Sequence, residues 1–460
     1  MAVPIEFVDR RTERAATPSA VARPICGRGV WTQATSAVFV LLLGTVFGAF
    51  WWKIETSPIP CTLNRVAWVA LMAAVVVGQG RRLRYGGLAY LRRLRTADGV
   101  LIAFLAVLFV SAAIQPADTR MEALARWLFF YVLPGGLYWA AASGRITPAS
   151  KRWIDVVTVG FGVYLGITAV FEVAGLSTFV FPRYIASSVY EEFFGRARGP
   201  LLNPVGNGLL LTWAGATAWT MRRRERTVRE ALVWAAMGII AVGLFATLTR
   251  SVWLGAAAVI VVWFAVEGKQ RGRAILAAAG CLAVILVALG FHKSLLSFKR
   301  DRNLSAADAA KSVELRPVLA WMALRVFSDH PLTGIGLARY DVAKFDYLGD
   351  RNSPFPPAMA EPYTQHNVFL SLLVETGVVG LGLFVLFLAI CFREAWETWK
   401  SRASPPALRA WSFVAWSLIL AYAINGMFHD VGIIPQVNCL LLTVLGCRRG
   451  LSAAVGQPPT

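Results

Sequence analysis

Four short segments of this chain hold residues suited to chemistry on an anion. The first is Gly195-Arg196-Ala197-Arg198-Gly199-Pro200, which runs into Asn203-Pro204-Val205-Gly206-Asn207. The second is Thr249-Arg250-Ser251, set between two long apolar runs. The third is Gln365-His366-Asn367, which opens a further apolar run containing Glu375-Thr376-Gly377. The fourth is His429-Asp430. Guanidinium stays charged at physiological pH and grips phosphate oxygens with a two-pronged fork. Neutral imidazole accepts a proton near pH 7. Arg198 and Arg250 therefore suit a phosphate-bearing group, with Arg126 and Arg196 as further cations. His366 suits a general base, with Asn367 beside it as a substrate contact. Asp430 suits a carboxylate that orients the histidine or pairs an arginine. Glu375 lies nine residues past His366, about 13 Å along a helix, so it partners an intramembrane arginine or a backbone group instead.

Each assignment has a plainer competitor. Arg126 and Arg250 could be snorkelling side chains at helix ends. Placing a cation in the membrane interior costs about 2.5–3.5 kcal/mol on insertion scales, which favours pairing or function for Arg250. Arg198 competes with an ordinary loop arginine, Asp430 with a simple loop carboxylate, and His366 with a headgroup-level histidine. His292 and His330 read as headgroup and loop residues. No phosphate-cradling glycine loop, HExxH pair or acidic cluster for a divalent metal is present. The six cysteines form no CxxC pair. Neither a metal nor another cofactor is expected.

The elements that position these residues follow from composition. The chain has 460 residues, 57% apolar and 16% charged, with a net charge of +20 and a mean hydropathy of +0.57. Soluble proteins average about 25% charged. Disordered, collagenous and disulfide-rich secreted classes are excluded. A greasy, basic chain is either a nucleic-acid binder or a polytopic membrane protein with basic loops, and the placement of charge decides. Apolar stretches of roughly 20 residues, enough to cross a bilayer, fall at about 31–52, 62–79, 99–115, 121–143, 153–177, 200–221, 230–249, 251–267, 273–292, 367–391, 407–427 and 431–447. Alternate connections hold 28 Lys/Arg on one side and seven in the short loops opposite. The positive-inside rule then puts both termini inside. The expectation is an all-α polytopic membrane protein of about twelve transmembrane helices, N-in and C-in, with no nucleic-acid partner. Its parts are a cytoplasmic tail (1–30), nine spans (31–292), a large outer loop (293–365), three spans (366–447) and a second tail (448–460). Within the large loop, Leu315–Phe327 has apolar residues at helical spacing with Arg316 and Arg325 on the polar side. That pattern fits an amphipathic helix lying on the membrane.

Several motifs resemble the O-antigen ligase / O-antigen polymerase superfamily. They are Arg198-Gly199…Asn203-Pro204…Asn207, Thr-Arg-Ser-x-Trp-Leu-Gly at Thr249–Gly255, His-Pro-Leu-x-Gly-x-Gly at His330–Gly336, and His-Asn-x-x-Leu-x-x-x-x-Glu-x-Gly at His366–Gly377. The twelve-span plan with one large late loop is similar to the lipopolysaccharide O-antigen ligase family. The resemblance implies a polyprenyl-phosphate glycosyltransferase of GT-C-like fold in the Gram-negative inner membrane, with its site facing the periplasm. It implies an undecaprenyl-pyrophosphate-linked glycan as donor and lipid A–core as acceptor, with inverting, metal-independent transfer. It implies that Arg198 and Arg250 hold the pyrophosphate and that His366 takes the acceptor proton. An O-antigen polymerase and a protein O-oligosaccharyltransferase are the neighbouring alternatives. A transporter would spread its intramembrane charges along a path, whereas these cluster at one face.

Overall fold

A computed structural model describes residues 31–48, 63–86, 95–144, 146–190, 192–222, 227–270, 272–274, 306–349 and 354–454. Over these residues the chain is helical, without strands. We number the principal helices α1 (Gln33–Val46), α2 (Leu63–Gly86), α3 (Thr96–Ala113), α4 (Ala117–Trp127), α5 (Leu133–Ser143), α6 (Pro148–Ala174), α7 (Pro204–Met221), α8 (Val228–Ala246), α9 (Arg250–Glu267), α10 (Ala306–Asp329), α11 (Val368–Lys400), α12 (Pro406–Gly426) and α13 (Pro435–Ala454). A π-helical turn, Leu128–Val132, joins α4 to α5. The expected span at 273–292 falls almost wholly outside the described residues.

Local chemistry explains where the helices begin. Thr32, Thr147, Asn203, Thr227 and Asn367 each accept a first-turn backbone N–H on their side-chain oxygen. Proline follows at the first position of α6 and α7, where its missing N–H costs nothing. Among the described residues six helices, α3, α6, α8, α9, α11 and α12, are long and apolar enough to cross a membrane. They and their neighbours bury one continuous core, in which α7 and α12 contribute Trp213 and Trp416. Helix α7 packs against α6, α8 and α12, α13 packs against α5, and α9 packs on α12. Small residues permit the close crossings. A Cβ on Gly243 would lie 2.7 Å from the Gly166 Cα.

Two features of the fold set up the site. First, α11 is broken at Gly377, whose φ of 65° and ψ of −169° interrupt the helix. The break leaves carbonyls without helical partners, and the 330–337 turn supplies donors. Ile335 N–H donates to the Val374 carbonyl (2.9 Å) and Gly336 N–H to the Glu375 carbonyl (3.0 Å). In return Val378 N–H donates to the Pro331 carbonyl (2.9 Å). Second, α10 does not rest its apolar face on lipid, as its amphipathic pattern suggests. Leu315, Val318, Leu319, Met322 and Val326 are buried against Tyr340, Ala360 and Val374. The large loop supplies its own covering for that face, so α10 roofs the beginning of α11.

Candidate active site

Arg250 is the first residue of α9, behind Thr249, whose hydroxyl bonds the Thr247 carbonyl (2.8 Å). The positive end of the helix dipole adds to the guanidinium there. Arg196, on the preceding loop, repels Arg250 electrostatically, and Arg250 in turn repels Arg316 on α10. Arg316 then acts on His366. Four segments far apart in sequence therefore bring Arg196, Arg250, Arg316 and His366 within electrostatic range. His366 keeps one open face, yet neighbouring protein crowds it. That desolvation, with the Arg316 charge, holds its imidazole below the ordinary histidine range. Neutral imidazole is the form that can act as a base. Arg316 was visible in the sequence only as the polar side of an amphipathic helix. What assigns it to the site is the docking of α10.

Arg198 occupies a different place. It is 1% exposed, and all five of its N–H groups bond main-chain oxygens. Nε and Nη2 donate to Ile185 (3.2 and 2.8 Å), Nη2 also to Ser187 (3.0 Å), and Nη1 to Tyr190 and to Glu192 (2.9 Å). A guanidinium has five donors, so none is left for a phosphate. Arg198 ties down the 185–192 loop. Asn367 is likewise used by the fold: its side-chain oxygen caps α11 and its amide donates to the Met427 carbonyl (3.1 Å).

Arg126 and Asp430 lie on a neighbouring cavity of about 350 Å³. Arg126 pairs with Glu375 at 3.2 Å, across α4 and α11. The Asp430 carboxylate lies near Ser371 and the Gly432 and Ile433 main chain, which favour its charged form. Burial pushes its carboxyl above the usual range, and Arg126 pulls it back. Of the two expectations for Asp430, to orient the histidine or to pair an arginine, the charge interaction with Arg126 is the one seen here. Tyr340, Asp341, Gln365 and the π-turn residues Phe129 and Phe130 complete the cavity. Among the described residues no cluster of His, Cys, Asp and Glu could hold a metal ion.

Residues 235–385 match the family model described as O-antigen ligase. No curated protein matches the chain. The matched stretch spans Arg250, Arg316, the turn at 330–337, His366 and the break at Gly377. Arg126, Arg196, Arg198 and Asp430 lie outside it. Residues 235–385, which hold Arg250, Arg316 and His366, are thus similar to the O-antigen ligase family.

Proposed function

We propose that this protein is a membrane glycosyltransferase that moves an O-antigen glycan from undecaprenyl pyrophosphate to a sugar hydroxyl of lipid A–core. The observation that supports this reading is the electrostatic chain Arg196–Arg250–Arg316–His366, in which each residue acts on the next. In this scheme the two guanidiniums, aided by Arg196 and the α9 dipole, bind the donor pyrophosphate. The acceptor oxygen attacks the anomeric carbon as the bond to the pyrophosphate oxygen breaks. The electron pair leaves with undecaprenyl pyrophosphate, the acceptor proton passes to the His366 imidazole, and the anomeric configuration inverts. Fixed cations aimed at a growing negative charge are a large catalytic term. A general base adds roughly 10²–10⁴-fold. In this reading the expected twelve spans, with both termini in the cytoplasm, would put the site on the periplasmic face of a Gram-negative inner membrane.

The test is purified protein with lipid-linked O-antigen and lipid A–core in the presence of EDTA and without ATP. Capped lipopolysaccharide is the expected product, because the arginines supply the charge a metal would. Longer lipid-linked glycan with no transfer to core would make the chain a polymerase. His366→Ala should lower turnover by about 10²–10⁴-fold while donor still binds. Wild-type turnover in that variant would remove the base assignment.

A further inference from the structure

We infer that the cavity between Arg126 and Gln365 is a subsite for an uncharged sugar ring, held by Tyr340, Gln365 and the carboxylates around Arg126. Two side chains there are almost wholly buried yet have unpartnered polar atoms. Tyr340 is 2% exposed and Gln365 5% exposed, and among the described residues neither the Tyr340 hydroxyl nor the Gln365 Nε2 has a hydrogen-bond partner. Both residues line the cavity. Buried polar groups are seldom left unpaired, so two on one cavity wall point to a ligand that supplies their partners.

The charge of the lining says which ligand. Glu122, Asp341, Glu375 and Asp430 line the cavity with Arg126 as the one cation among the described residues, already paired with Glu375 at 3.2 Å. A phosphate entering here meets carboxylates and a spent guanidinium, so the pyrophosphate is excluded. Sugar hydroxyls are the reverse case, because each is a donor that a carboxylate accepts and an acceptor for the Gln365 amide. The cavity has the size of a small-ligand site. Phe129 and Phe130 from the π-turn give it an apolar wall. Gln365, on the cavity wall, directly precedes His366 in the chain, which joins this cavity to the segment carrying the proposed base. This inference rests on the glycosyl-transfer reading for what the ring does, but not for its binding.

The experiment uses the full-length protein in detergent and two probes, methyl α-D-glucopyranoside and inorganic pyrophosphate. Saturation-transfer NMR should show protein contact to the glucoside. Tyr340→Phe and Gln365→Leu should each weaken that contact about 3- to 10-fold, the effect of one neutral hydrogen bond, and leave pyrophosphate affinity unchanged. Arg250→Ala should do the opposite. Thermal unfolding at the wild-type temperature certifies that the variants fold. Absence of glucoside contact in the wild-type protein, glucoside contact indifferent to both substitutions, or displacement of glucoside by pyrophosphate would each overturn the subsite. Loss of pyrophosphate binding alone sinks the donor reading and spares this one. In turnover assays a raised KM for lipid A–core identifies the ring as the acceptor's, and a raised KM for the lipid-linked glycan identifies it as the donor's. KM values unmoved for both would overturn the subsite.

Discussion

Arg198 commits five buried donors to four main-chain carbonyls of the 185–192 loop. A lysine has three donors on one atom and cannot span that set. Leaving a buried acceptor unsatisfied costs about 1–3 kcal/mol. Arg198→Lys should therefore lower the melting temperature measurably while the folded fraction binds pyrophosphate with wild-type affinity. Weakened affinity at an unchanged melting temperature would return Arg198 to the anion site. Arg316 carries the complementary expectation. Its charge helps to hold the His366 imidazole below the ordinary range. A base with a lowered pKa stays unprotonated into more acid solution, so the acid limb of the kcat/KM profile lies below the ordinary histidine value of about 6.5. Arg316→Met removes the neighbouring cation, lets the pKa rise and moves that limb to higher pH. An unmoved limb would separate the two residues. Sequence alone singled out His366 and Arg250 as candidates, since each marks the start of an apolar run. It could not rank Arg198 against Arg316. One was saturated by carbonyls of its own loop, and the other was carried into place by a helix more than 60 residues from Arg250.

At the scale of elements, the site depends on two motifs that read as separate in the sequence and are one object in the fold. The turn at 330–337 and the break at 374–378 exchange backbone hydrogen bonds, and each needs glycine. Gly377 has φ of 65°, and a Cβ there would lie 2.1 Å from the Leu332 carbonyl oxygen. Gly334 has φ of 68° and would meet the Glu375 carbonyl carbon at 2.4 Å. The helix break is tolerated because the turn satisfies the freed carbonyls. It also fixes Glu375, whose carboxylate takes Arg126 from α4. Gly377→Ala should separate the turn from α11, with a cost above the about 1–3 kcal/mol of a strained backbone position. Proteolysis within 330–349 should accelerate, and turnover should fall even though no residue of the cation cluster is touched. Unchanged proteolysis would mean the clasp does not hold the loop. The helix starts were legible because capping and proline act within four residues. The clasp was not, because hydrogen bonds between segments some 40 residues apart leave no periodicity to read.

For the whole molecule, the count of loop cations gives an orientation, and the fold shows that some of those cations also hold helices together. Arg95 and Arg448 pair with Glu394 at 3.6 and 2.6 Å, and Arg449 pairs with Asp98. These contacts join the ends of α3, α11 and α13 that lie away from His366. Arginines that anchor helix ends still count toward orientation, since the rule acts on charge within reach of the membrane during insertion. The two roles therefore reinforce each other, and the side carrying the 28 cations should face the cytoplasm. Two exposed positions test this: Ser188, on the loop tied by Arg198, and Arg402, between α11 and α12. With cysteine at position 188, a membrane-impermeant maleimide should label the protein once it has crossed the outer membrane. With cysteine at position 402, labelling should require a permeabilised inner membrane. Cys26, Cys61 and Cys281 are first replaced by serine, and the native Cys391, Cys439 and Cys447 are buried and should give little background. The reversed pattern would put the cation–histidine cluster in the cytoplasm, away from a periplasmic lipid-linked glycan, and with it the proposed reaction would fail.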